Sequence, residues 1–259
     1  MECEVDVGGF SIAYTVRGEG PPLLLVPGVT MSALRWVEAG YVEALAGSRR
    51  VLAVDPLGHG RSSKTAEVDA YARDRLVEHL VAVLDDASVE VADVWGYSRG
   101  SAMSGLLAGA HPDRVRRLVV GGYPLFERNT ILESLGMLPD RSEVESRHQR
   151  CLDGDWDAYW ESFPLPLPDA TKAQLSSRND LASISACAVA SHLDPMDWSA
   201  PNGVQTLAYW GEDEIFNDLN AQAATDQPIS TATVPGGHAE AFFPSGPALA
   251  AVTAFLDTE

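Results

Sequence analysis

Ser98 stands between two glycines in Val91-Ala92-Asp93-Val94-Trp95-Gly96-Tyr97-Ser98-Arg99-Gly100, where an apolar run gives way to a helix-like segment. A serine hydroxyl is a poor nucleophile at neutral pH and needs a base within hydrogen-bond reach to take its proton. The spacing G-x-S-x-G answers a steric need. A serine at the point of a sharp strand-to-helix turn sits in a strained backbone conformation, and side chains two residues to either side collide there. Gly96 and Gly100 remove those collisions. The same turn puts Ser98 at a helix N-terminus, where the Arg99 N–H can donate to a developing oxyanion. Of the six histidines, His238 is the best placed to be the base, flanked by Gly237 and following the last strand-like run. A carboxylate is then required to accept the other imidazole proton and stabilise the imidazolium.

Taken alone, the pentapeptide is weak evidence, because glycine and serine are common in ordinary turns. Its setting strengthens it: Val91, Val94 and Trp95 read as a buried strand, and Ala102, Met103, Leu106, Leu107 and Ala110 recur at helical spacing. The elements that must hold this turn are legible on both sides. Residues 2–7 and 10–17, joined by Gly8-Gly9, predict a hairpin. Residues 23–26 and 50–54 predict strands separated by a helix over about 33–46, and Leu76, Leu80, Val83 and Leu84 mark a helix over 71–84. Strands are expected at 115–122, 204–209 and 229–234, with a closing helix at 248–256. Strands alternating with helices imply a mainly parallel sheet covered on both faces, an α/β class fold. Residues 123–200 break that rhythm: 164–168 alternate proline with leucine, and Trp156, Tyr159, Trp160 and Phe163 supply large apolar surface.

Beyond the elbow, further stretches fall in a familiar order. They are Val26-Pro27-Gly28-Val29-Thr30, Asp55-Pro56-Leu57-Gly58-His59-Gly60-Arg61-Ser62, His111-Pro112-Asp113-Arg114-Val115, Trp210-Gly211-Glu212-Asp213-Glu214 and Pro235-Gly236-Gly237-His238. With them the chain resembles the α/β-hydrolase fold superfamily. The resemblance implies a mainly parallel eight-stranded sheet flanked by helices, with residues 1–123 and 200–259 as the core. Residues 124–199 are then a small, mostly helical cap inserted after the sixth strand. It implies that 58–62 is a structural turn despite its histidine, and that Val29 gives a second oxyanion N–H beside Arg99. The four cap aromatics, Trp156, Tyr159, Trp160 and Phe163, become candidate pocket residues, with packing of the cap onto the core as the competing role. The acid is expected in the loop after Trp210. Asp213 is preferred, because it is an aspartate followed by a polar residue and an aliphatic; Glu214, three residues after Gly211, follows closely, and Glu127 is a distant third. Two departures from the family stand out: Pro27 where a histidine usually precedes the glycine, and a charged Arg99 after the nucleophile. The Arg99 side chain is expected to pair with a nearby acid, and otherwise to reach an anionic substrate.

The resemblance implies a serine hydrolase of small or medium carboxylic esters, lactones or thioesters, acting through an acyl-enzyme and needing no metal or cofactor. The same triad also supports hydroxynitrile lyases, C–C bond hydrolases, perhydrolases, cofactor-free oxygenases and idle ligand-binding relatives. Enzymes with an aspartate nucleophile are disfavoured by Ser98. With 37 acidic against 18 basic residues, a net charge of −19 repels phosphate backbones and anionic lipid, so a small molecule is the expected partner, with a homodimer left open. Cys3, Cys151 and Cys187 are odd in number and widely spaced, which argues against a disulfide framework or a zinc site. A start without a basic run or a long apolar stretch gives the expectation of a cytoplasmic protein.

Overall fold

The computed structural model describes residues 1–126, 139–161, 167–196, 198–243 and 246–258. Its strands are β1 (Glu2–Val7), β2 (Phe10–Arg17), β3 (Pro22–Val26), β4 (Arg50–Val54), β5 (Ala92–Tyr97), β6 (Val115–Gly121), β7 (Gln205–Gly211) and β8 (Ser230–Val234). They form one sheet in the order β1-β2-β4-β3-β5-β6-β7-β8. Only the β1/β2 and β2/β4 pairs are antiparallel; from β4 to β8 all neighbours run parallel.

The period-2 alternation of the strands sorts their side chains into two apolar layers. Leu24, Leu52, Val94, Leu118 and Val120 face one layer, where they pack with α3 (Arg73–Asp86) and α4 (Arg99–Ala110). Leu23, Leu25, Val51, Ala53, Trp95 and Val119 face the other, against α1 (Ala33–Glu38) and α2 (Tyr41–Leu45). A sheet buried on both faces explains why its central strands read as continuous apolar runs.

Two sequence expectations shift. The helix expected over 33–46 is two short helices, because Gly40 lies between them at φ 83°, a left-handed conformation that glycine adopts at little cost. Val91 lies outside β5 and is 40% exposed, so the strand begins one residue later than its apolar run.

Between β6 and β7 the described helices are α5 (Arg141–Leu152), α6 (Trp156–Glu161), α7 (Asp169–Arg178) and α8 (Leu181–Leu193). Asp140 caps α5 in a reciprocal box with Glu143, and Asp180 caps α8 by accepting from the Ser183 N–H at 2.8 Å. Cys151, Ala158, Tyr159, Trp160, Leu181 and Ile184 form a core of their own within this segment. It is tied to the sheet's loops: Asn179 Nδ2 donates to Thr30 O at 3.0 Å, and the Thr65 N–H donates to Ser183 Oγ at 3.0 Å. The chain closes with α9 (Asn217–Ala224) and α10 (Gly246–Leu256). No helix among the described residues is long and apolar enough to cross a membrane.

Candidate active site

Ser98 joins β5 to α4 with φ 52° and ψ −125°, a positive φ rare for a residue with a side chain. A Cβ on Gly96 would lie 2.3 Å from Gly100 O, and one on Gly100 would lie 2.1 Å from Val26 O. The glycines are therefore required by backbone packed on backbone where β3, β5 and α4 meet. The Ser98 N–H donates to Gly121 O at 2.7 Å, which fixes the turn to the end of β6.

His238, in the loop after β8, brings Nε2 to 3.1 Å from Ser98 Oγ. Its Nδ1 lies 2.6 Å from Glu214 Oε1, and Glu214 Oε2 accepts from the Gly211 N–H at 3.3 Å. The preference for Asp213 is corrected by this geometry. The Glu214 N–H closes a turn onto Gly211 O at 3.1 Å, which returns residue 214 toward the sheet and leaves Asp213 exposed at the tip, its N–H donating to Gly236 O at 3.0 Å. The Glu214 side chain is only 6% exposed. Glu127 lies outside the described residues.

An aromatic floor holds the histidine loop. The Tyr97 hydroxyl donates to the His238 carbonyl, and the Tyr97 ring packs on Phe242 at 4.7 Å. Phe242 also meets Trp36 edge to face at 4.8 Å and accepts from the Tyr41 hydroxyl through its carbonyl at 3.0 Å. Such ring pairs add about 0.5–1.5 kcal/mol each beyond their buried area. Gly122, at φ 57°, leaves room for this packing: a Cβ there would sit 2.8 Å from the Tyr97 ring and 3.1 Å from His238 Cε1. Sequence reasoning passed over Tyr97, whose position within the elbow carries no signal of this role.

Opposite Ser98, the loop after β3 is held by His59. Its Nδ1–H donates to Leu57 O at 3.0 Å, which leaves Nε2 to accept from the Thr30 N–H at 3.2 Å. Burial lowers the His59 pKa to about 4, so the ring is neutral and keeps the acceptor this bond needs. Thr30 is held at φ 61°, a second strained non-glycine residue at the site. A Cβ on Gly28 would lie 3.1 Å from Ser98 Cβ, so this loop passes directly over the nucleophile. Among the described residues, neither the Val29 N–H nor the Arg99 N–H meets an acceptor. The 58–62 turn is braced by Asp55, whose carboxylate accepts from the Ala33 N–H at 2.7 Å and the Arg61 N–H at 3.0 Å.

Among the described residues, the Arg99 side chain does not meet the acid expected to pair with it. It is 9% exposed, and its Nη1 contacts Met103 Sδ at 3.2 Å. Of the four aromatics singled out between β6 and β7, Trp156 and Trp160 stack on each other at 6.1 Å, and Tyr159 packs edge to face on Trp160 at 5.0 Å. Tyr159 is also near enough to Arg99 to feel its charge. Phe163 lies outside the described residues. His148 is not brought to the site; its Nδ1 is 2.8 Å from Ser185 Oγ, within the helical segment between β6 and β7.

Comparison with known proteins places this geometry in a family. One similar protein is a 2-hydroxymuconate semialdehyde hydrolase of Pseudomonas sp. (strain CF600), 43% identical over 120 residues that span 46% of this chain and 42% of that protein. Another is epoxide hydrolase B of Mycobacterium tuberculosis, 37% identical over 114 residues, 44% of this chain and 32% of that one. The chain thus aligns with less than half the length of these curated relatives. Among solved structures, a carboxylesterase study of the thaumarchaeon Nitrososphaera gargenis provides a chain with a TM-score of 0.75 at 18% identity, covering 98% of this chain and 97% of that one. Residues 21–239 match the family model for the alpha/beta hydrolase fold, and the chain belongs to that family.

Proposed function

We propose that this chain is a serine hydrolase that cleaves a small or medium carboxylic ester, lactone or thioester through an acyl-enzyme on Ser98. The observation that carries this reading is the unbroken chain Ser98 Oγ, His238, Glu214, with steps of 3.1 and 2.6 Å. Ser98 Oγ attacks the carbonyl carbon as His238 Nε2 takes its proton, and Glu214 stabilises the imidazolium. The oxyanion draws on the Val29 and Arg99 N–H groups. His238 returns the proton to the leaving alkoxide or thiolate as the acyl–heteroatom bond breaks. A water, deprotonated by His238, then attacks the acyl-enzyme, and Ser98 leaves with its proton restored. These steps require no metal or cofactor. On this reading the protein acts in the cytoplasm on a small molecule, with neither nucleic acid nor membrane as partner.

Turnover of aryl esters by the wild type, lowered about four to six orders of magnitude in Ser98→Ala, is the expected result. Near-normal turnover in Ser98→Ala contradicts the mechanism. A second reading, C–C bond hydrolysis by the same triad, is favoured by the relative that is 43% identical and named for 2-hydroxymuconate semialdehyde. A kcat/KM for that compound well above those for aryl esters would select it. The epoxide hydrolase likeness carries less weight, because the elbow holds a serine instead of a carboxylate nucleophile.

A further inference from the structure

Among the described residues, no acid answers the charge of Arg99. Its Nε and Nη2 are buried without a hydrogen-bond partner, and among the described residues Nη1 meets the soft sulfur of Met103. Acids outnumber bases 37 to 18 in this chain, yet none of the described ones pairs with the guanidinium. Groups near enough to feel its charge include His59, Tyr71, Tyr159 and Cys187. These come from the loop beside Thr30, the turn before α3, and helices α6 and α8. The guanidinium therefore lies where the sheet's loops meet the cap segment, one residue from the nucleophile.

An arginine cannot shed its proton, and an uncompensated buried charge is costly. The two orphaned groups are also specific in shape. Nε–H and Nη2–H project in parallel from one edge of the guanidinium, the fork that matches the two oxygens of a carboxylate. One positive charge balances one carboxylate, whereas a phosphate dianion would leave a net charge buried among neutral side chains.

We propose that the Arg99 side chain is the binding site for a substrate carboxylate, so that the compound processed at Ser98 carries a free carboxylate on the part held under the cap segment. This names the substrate class of the site above and rests on that reading for its placement beside the reacting carbonyl. The binding itself does not depend on Ser98 chemistry, which allows the two to be tested apart.

The test uses the full chain as Ser98→Ala, in which ester probes stay intact, and titrates monomethyl glutarate and dimethyl glutarate by calorimetry. Monomethyl glutarate is expected to bind at least about tenfold more tightly, a factor typical of a charged hydrogen-bonded pair. Adding Arg99→Gln is expected to abolish that preference. Equal affinities, or a preference that survives Arg99→Gln, overturn the assignment. Thermal melting gives a second readout. Ligand-free Arg99→Met is expected to melt about 2–4 °C higher than the wild type, because an unpaired buried charge has been removed. A lower melting point would mean that the cation already has a partner, and would overturn the assignment. If the carboxylate preference holds while no ester or C–C substrate is turned over, the hydrolase reading fails and the anion site stands.

Discussion

Glu214 and His238 meet across the ends of two adjacent parallel strands, with Glu214 Oε1 2.6 Å from His238 Nδ1. Asp213, one residue earlier, is exposed. Glu214→Gln should therefore lower kcat by about three to four orders of magnitude, since the imidazole loses the carboxylate that orients it and stabilises its cation. Asp213→Asn should stay within about twofold of wild type, as exposed substitutions away from a site cost little. Steady-state kinetics on an aryl ester checks both, and the reverse ranking would return the role to Asp213.

The elbow glycines make a paired stability prediction on one helix. An alanine at Gly100 would push its Cβ to 2.1 Å from Val26 O and 2.6 Å from Pro27 O, so Gly100→Ala should cost about 1–3 kcal/mol or more. At Gly109, on the same helix, a Cβ meets nothing within 4 Å, and Gly109→Ala should stabilise by about 0.4–1 kcal/mol. Scanning calorimetry reads both as opposite shifts in Tm. Similar Tm values for the two variants would argue against the backbone packing described at the elbow.

Stability should fall as pH drops from 7 to 5. Burial lowers the pKa values of His59 and His79 from 6.5 to about 4 in the folded protein. The unfolded chain therefore binds protons between pH 6.5 and 4 that the folded chain does not, and stability rises with pH across that window. Each histidine accounts for roughly 2 kcal/mol lost by pH 5. Urea midpoints at the two pH values check this, and His79→Gln should remove part of the slope, the rest coming from His59 and from His148, whose pKa burial also lowers. A midpoint independent of pH over this range contradicts the neutral, buried state of both rings.

How much of this was legible in the sequence follows from which features are local. The alternation of apolar runs and the Gly96–Gly100 spacing are local, and they gave the strands and the elbow; the pairing of His238 with Ser98 was expected from the resemblance to the α/β-hydrolase family. The choice between Asp213 and Glu214 was not legible, because it depends on a turn in which the Glu214 N–H folds back to Gly211 O, and adjacent acids look alike without it. The role of His59 was concealed for a related reason. Its Gly-His-Gly setting reads as a turn, and only the fold brings residue 59 to the Thr30 N–H. The lack of an acid partner for the Arg99 guanidinium among the described residues is the least local feature, since it depends on how separate segments pack around it.

The central claim is that Ser98 is a nucleophile activated by His238. The most direct measurement is the intact mass of the folded protein after incubation with a fluorophosphonate, with peptide mapping and a His238→Ala control. A single adduct on Ser98, strongly reduced in His238→Ala, is the expected result. Folded protein that gains no adduct at Ser98, or labels equally well without His238, would contradict it.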